Sequence, residues 1–325
     1  MENDRTIKIF ISERIDVQSN QVDNPIYVPV RCGAIFDELN PLCLLGDDSK
    51  QNISSRRNSF CEFTVQYWAW KNEDADYYGL CHYRRYLTFS SKRFHANNQQ
   101  QIMAGLLDDY SIKKYDLLNE DKMRSEILSC DGVVNEAADV NKIPTPLGYQ
   151  KTVYNHWAAH DGVFIDKRVL PLLMKTIQRK FPQYYAAADE YMQSKWHRGY
   201  NCYVLRKPLF DAMCEFQFSV LFDLEQQLAN NGLAKHYERT LGYMGEIMYG
   251  MFIHYLQKQG KYKIIEKQLV YFEQTVIPNS GWQRLCDRIL FWAKFRFENV
   301  GYKILPKGSR RRNFIKKIYF SLVKR

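Results

Sequence analysis

The chain has 325 residues, 46% of them apolar, with 46 Lys and Arg against 36 Asp and Glu for a formal charge of +10. That composition excludes disorder over most of the length and leaves room for one large α/β domain or two smaller ones. Residues 282–325 hold 13 of the basic residues and only Asp287 and Glu298 as acids, so a basic tail is attached to a nearly neutral body.

Residues 6–12 form a short β-branched run stopped by Glu13 and Arg14, which predicts a largely buried first strand. Residues 41–45, ended by Gly46-Asp47-Asp48, predict the second. Ser59 stands three residues before Glu62, so its hydroxyl is expected to cap a helix running to about Lys71, with the carboxylate reaching back. Phe60, Phe63, Tyr67 and Trp70 then fall on one aromatic face suited to packing on a sheet. Residues 76–81 and 127–134 read as strands three and four. The polar residues 90–125, with a helical pattern over 101–109, read as an insertion on the rim.

Residues 152–193 are mostly helical in pattern and residues 200–205 strand-like. Pro208 opens a helix with the stripe Leu209, Met213, Phe216, Val220 and Leu224, which Asn230-Asn231-Gly232 stops. A helix over about 239–259 and a strand over 269–272 follow. Strands alternating with helices predict a doubly wound α/β core. No repeat and no Pro- or Gly-rich linker precedes residue 277, so one domain over 1–276 and a basic amphipathic segment over 277–325 are expected.

The eight cysteines form no C-x-x-C pair and no zinc-type Cys/His cluster, and they read as reduced. The first residues lack the pattern of a secretory leader, and no run of 18 uncharged apolar residues is present. A cytoplasmic protein is expected.

In open α/β sheets, ligands bind beyond the carboxyl ends of the strands. The segments 12–14, 46–52 and 79–86 occupy such ends, and the last is the most informative. There Gly79-Leu80-Cys81 runs into His82-Tyr83-Arg84-Arg85-Tyr86. Bringing three potential cations to the end of a hydrophobic strand costs desolvation unless an anion or carboxylates meet them. Arg binds phosphate bidentately, which makes a diphosphate one natural partner; pairing with Asp47, Asp48 or helix carboxylates is the other reading.

Residues 58–64, 67–72 and 79–86 closely resemble the hallmark blocks of a bacterial glycosyltransferase family first catalogued as domain of unknown function 4422. The resemblance continues through Gly46-Asp47-Asp48 with Asn52-Ile53-Ser54, Thr152-Val153-Tyr154 with His160, residues 201–211 and residues 239–246, and covers roughly 6–272. It departs from the family at Glu13-Arg14-Ile15, where a Thr-His-Lys type of sequence is usual, and at Glu246-Ile247-Met248, where Glu-Arg-Leu is usual. The resemblance implies a GT-A-like fold, a mixed sheet flanked by helices, and transfer of a hexose, galactofuranose in characterised members, from a UDP-sugar to a lipid-linked saccharide of capsule, O-antigen or exopolysaccharide.

Where many GT-A enzymes carry an Asp-x-Asp that holds a divalent metal, this chain has His82-Tyr83-Arg84. Fixed cations are expected to replace the metal and neutralise the leaving UDP, so no cofactor is required; Asp47 and Asp48 keep a Mg²⁺- or Mn²⁺-dependent alternative open. Ser12, Asp47, Asp48, Asn52, His82, Arg84 and Arg85 are the candidate donor-binding residues, and Asn201 and Arg239 the candidate acceptor-binding residues.

An inverting transfer needs a carboxylate to take the acceptor's proton. Glu246 is the first candidate, delivered by Gly242-Tyr243-Met244-Gly245 from a flexible turn; Asp48 and Asp161 are the reserves. Glu62 reads as a cap. His156 and His160 are four apart but have no third metal ligand in view. A non-catalytic nucleotide- or carbohydrate-binding protein is the alternative function.

The tail interleaves Trp282, Trp292 and other apolar residues with basic ones, including Arg310, Arg311, Arg312, Lys316 and Lys317. That is the composition of a segment lying in a membrane interface, so a peripheral position on the inner face of the plasma membrane is expected. Nucleic acid is disfavoured as a partner because the body is neutral and carries no recognised nucleic-acid motif.

Overall fold

The computed structural model describes residues 5–40, 43–233 and 238–304, together with Arg311 and Phe314. The strands are β1 (Ile7–Arg14), β2 (Tyr27–Cys32), β3 (Leu45–Gly46), β4 (Tyr77–His82), β5 (Arg85–Leu87), β6 (Gln101–Leu106), β7 (Gly132–Asn135), β8 (Ala138–Asp139), β9 (Pro144–Thr145), β10 (Gly148–Tyr149), β11 (Trp196–His197), β12 (Tyr203–Arg206), β13 (Ile264–Lys267) and β14 (Leu269–Gln274). The helices are α1 (Arg57–Phe60), α2 (Phe63–Asn72), α3 (Asp109–Lys114), α4 (Glu120–Leu128), α5 (Val153–Ala158), α6 (Val169–Lys180), α7 (Pro182–Gln193), α8 (Lys207–Asn230), α9 (Thr240–Gln259) and α10 (Gly281–Ile304).

Among the described residues the main sheet follows the order β3-β2-β1-β4-β12-β7-β13. All its pairings are parallel except those of β12, which runs against both β4 and β7. A side branch joins β4 to β5, β5 to β14 and β14 to β6. The result is a mixed α/β fold with a mostly parallel central sheet flanked by helices. Alternation along β1 divides the core: Ile7, Ile9 and Ile11 pack with Tyr27, Tyr86 and Phe272, whereas Phe10 joins the opposite layer with Trp68, Tyr78 and helices α6 to α9.

Several expectations are corrected. β1 pairs with β2 and β4, and among the described residues of the strand expected over 41–45 only Leu45 is in a strand, at the start of β3. Residues 101–106 are strand β6, paired in parallel with β14, so segment 90–125 contributes to the sheet and the helical pattern over 101–109 is overridden. The strand expected over 127–134 begins only at Gly132, because Ile127 and Leu128 close helix α4.

The helix expected from Ser59 is broken at Cys61, whose φ is +52°, into α1 and α2. Neither piece has a side-chain cap. Its aromatic face meets a helix, not a sheet: Phe60, Phe63, Tyr67 and Trp70 pack on Phe218 and Phe222 of α8 at centroid distances of 5.0–6.4 Å. The segment 242–245 is also no flexible turn. It lies inside α9, where Gly245 admits the Phe63 ring so closely that a Cβ there would fall 2.5 Å from it.

Candidate active site

Strands β3, β2, β1, β4 and β7 end at one edge of the sheet, and the reversed strand β12 begins there, so residues 199–202 arrive beside the carboxyl end of β4. β4 closes into β5 through a tight hairpin in which His82 pairs with Arg85. This hairpin presents Arg84 and Arg85 at the edge.

No ion pair holds either arginine among the described residues, and each Nε is buried without a hydrogen-bond acceptor. Aromatic faces hold them. The Arg84 guanidinium lies 5.0 Å from the Tyr271 ring centre and 5.5 Å from that of Tyr83, and Arg85 lies 5.0 Å from Tyr200 and 5.4 Å from Tyr271. An aromatic face steadies a guanidinium without neutralising it, so both retain their charge and donors for an incoming anion.

His82 departs from the expected trio of cations. Burial first, then Arg85, Arg84, Arg239 and Arg14, hold its imidazole well below the usual histidine range. It is therefore neutral at pH 7, and the same perturbers show that four arginines converge on this point. Arg14 is hydrogen-bonded to Asp16, with Nε 2.9 Å from Oδ1.

The two carboxylates of the site come from α9 and from the α1–α2 break. Glu246 has an 18% exposed side chain, and its carboxyl is pushed up to about 7, by burial first and then by Glu62. Arg85, the Tyr200 backbone amide and Arg239 act in the opposite direction. Glu62 accepts a 2.9 Å hydrogen bond from Asn201 Nδ2 instead of capping α2.

The backbone is left-handed at Cys61, Tyr200 and Asn201, with φ of 52°, 74° and 44°. Such values in non-glycine residues are costly and collect at functional sites. Here they turn Glu62 and Asn201 toward each other. Gly199 lets the backbone pass close to the Glu246 carboxylate, since a Cβ there would lie 2.6 Å from Oε1 and displace it. His197 Nε2 stands 3.9 Å from the same oxygen, while Nδ1 lies 2.8 Å from the Tyr191 hydroxyl. Burial, then His156 and Arg198, lower His197 to about 3, so this contact is not an ion pair at neutral pH.

The remaining candidates lie elsewhere or serve the loops. Ser12 is buried and its carbonyl accepts from Tyr83 N at 3.1 Å. Asp47 is fully buried and accepts from Gly33 N and Ala34 N at 2.9 Å each and from Ser54 Oγ, so its oxygens clamp the loop after β2. Asn52 closes its own loop through the carbonyls of Asp48 and Lys50. Asp48 is exposed just after β3, which is separated from β4 by β2 and β1 in the sheet order.

Arg239 joins the site at the start of α9, its Nε 3.2 Å from Cys61 Sγ. His156 lies on α5 and His160 just past its end, and no group of three or more His, Cys, Asp or Glu that could hold a metal ion occurs among the described residues. Trp282 and Trp292 are exposed on α10, and Arg311, beyond that helix, is exposed too; Arg310, Arg312, Lys316 and Lys317 lie outside the described residues. Glu62, His197, Tyr200 and Tyr271 were not singled out for this site by sequence pattern, because only the chain's long-range packing brings them to β4.

No curated protein matches the chain. Among solved structures it is similar to the apo form of WbbM, a bifunctional glycosyltransferase, with a TM-score of 0.73 and 26% identity over 85% of this chain and 48% of that one. The chain thus spans about half the length of that protein. A family model described as Domain of unknown function (DUF4422) matches residues 8–259, a span that contains Glu62, the β4–β5 hairpin and Glu246, and the chain belongs to that family.

Proposed function

We propose that this protein is a GT-A-like glycosyltransferase that moves a hexose, galactofuranose on the family resemblance, from a UDP-sugar to a lipid-linked saccharide with inversion. The observation that carries the reading is the pair of aromatic-braced arginines without acid partners, next to a carboxylate whose pKa is near neutrality. The likeness to WbbM supports the class of reaction.

Arg84 and Arg85 grip the diphosphate and neutralise the charge that grows on it. The acceptor hydroxyl oxygen attacks the anomeric carbon, the bond from that carbon to the phosphate oxygen breaks, and UDP departs with the bonding pair. Glu246 receives the hydroxyl proton. A carboxylate with a pKa near 7 is basic enough to help and still ionised in a large fraction of molecules. Fixed guanidinium charge takes the place of a metal, since Asp47 is committed to its loop.

Helix α10 supports a membrane-surface location. Phe291 packs against Gly105 of β6, and Arg288 and Lys294 pair with Asp108 and Glu273 at 2.6 Å each. Trp282, Leu285, Ile289 and Trp292 occupy i, i+3, i+7 and i+10 and are 46–74% exposed, an outward apolar stripe beside a cationic tail. No helix among the described residues is long and apolar enough to cross a membrane.

The test is release of UDP from a panel of UDP-sugars with a membrane-extract acceptor, with and without EDTA. Acceptor-dependent release that survives EDTA supports the reading. Binding without turnover identifies the non-catalytic alternative, and recovery only with Mn²⁺ contradicts the role given to the arginines.

A further inference from the structure

A second, aromatic surface adjoins Glu246 through α9. Its parts come from α5, the loop after it and the first turns of α9. Phe164 is 44% exposed and stacks on His160 at 5.1 Å with 21° between the rings. Tyr243 lies 5.7 Å from Phe164 and 5.6 Å from Trp157. Trp157 in turn lies 5.7 Å from His197, the neighbour of Glu246.

Tyr243 stands one helical turn before Glu246, so both side chains share one face of α9. The aromatic cluster therefore runs from Phe164 at the surface to Tyr243, on the face of α9 that carries Glu246, with Trp157 buried behind both rings. Arg239 lies 5.6 Å from the Tyr243 ring centre and borders it with charge. An exposed aromatic face bordered by a guanidinium suits a ligand with one C–H face and a ring of hydroxyls. That is a sugar ring.

We infer that Phe164 and Tyr243, backed by the buried Trp157, form the subsite that stacks the terminal sugar of the acceptor saccharide and directs its hydroxyl toward Glu246. The inference rests on the transferase reading. The diphosphate belongs to the β4–β5 hairpin, whereas the rings come from the segment after α5 and from the start of α9. Phe164 is the anchor because it is the most exposed of these rings.

Two measurements test this on the full chain. Saturation-transfer NMR with methyl hexopyranosides as probes is expected to show transfer from aromatic protons to the sugar C–H protons in the parent and in Phe164→Tyr, and to lose it in Phe164→Ala. With turnover established, Phe164→Ala is expected to raise the acceptor KM about tenfold, while Phe164→Tyr restores it and UDP affinity stays within twofold of the parent. No transfer in the parent protein, or an acceptor KM in Phe164→Ala within twofold of the parent, overturns the subsite. Loss of UDP affinity in Phe164→Ala also overturns it and assigns the surface to the donor. The NMR arm reads the subsite even where turnover is absent, so failure of the transferase reading is distinguishable from failure of this one.

Discussion

Two carboxyls at the edge of the sheet are both raised chiefly by burial. Glu246 is raised to about 7 by burial and by Glu62, and the role as base proposed for it requires the ionised form. The rate at limiting substrate is therefore expected to fall about tenfold per pH unit below about 7, and Glu246→Gln to lose roughly 10²–10⁴-fold of turnover with the fold intact. A Glu246→Gln variant with near-parent rates and the same pH limb would remove Glu246 from the mechanism. Glu13 is raised to about 8 by burial, with Gln21 and Ser19 offsetting part of the effect. A pKa raised in the fold means stability that is fully present below the unfolded value near 4.5 and is lost as pH rises through about 8. Denaturant unfolding from pH 5 to 9 should thus show the parent losing up to about 4 kcal/mol relative to Glu13→Gln. Parallel pH curves for the two proteins would contradict this. Sequence pattern revealed the arginines after β4 and singled out Glu246. It misread Glu62, because a carboxylate three residues after Ser59 matches a cap equally well, and only the left-handed turns at Cys61 and Asn201 bring Glu62 to Asn201.

At the scale of elements, strongly periodic segments were legible: α8 and α9 follow their apolar stripes, and β1 and β4 their short buried runs. The misreadings have physical causes. β2 contains Pro29, a residue that argues against an inner strand, and is tolerated because β3 pairs only with Val30 and Arg31. β6 has the sequence QIMAGL, without β-branched enrichment, and is a strand because β14 pairs along it 168 positions later. The glycines of α9 read as a turn although they are contact points for Cys61 and Phe63. Gly245→Ala places a methyl against the Phe63 ring and is expected to cost about 1–3 kcal/mol. Because α9 also carries Glu246, turnover should fall with Tm. An unchanged Tm would show that α2 and α9 have slack at this contact.

Across the whole molecule, the reversed strand β12 makes the site composite. It brings Tyr200 and Asn201 to the same edge as the hairpin, so that Tyr200 meets Arg85 and Asn201 meets Glu62 there. The uneven charge has a parallel consequence: α10 is clamped to the body by one face and turns its Trp282–Trp292 stripe outward. Sedimentation with anionic liposomes is expected for the parent and sharply reduced for the Trp282→Ala, Trp292→Ala double variant at physiological salt. Equal sedimentation of the two would refute a role for the stripe. The central claim is that Arg84 and Arg85 hold a nucleotide's diphosphate, and calorimetric titration of UDP and of uridine into the parent and into Arg84→Ala and Arg85→Ala tests it most directly. UDP affinity is predicted to fall about 10–100-fold in each variant with uridine affinity unchanged; UDP binding as tight in the variants as in the parent would contradict it.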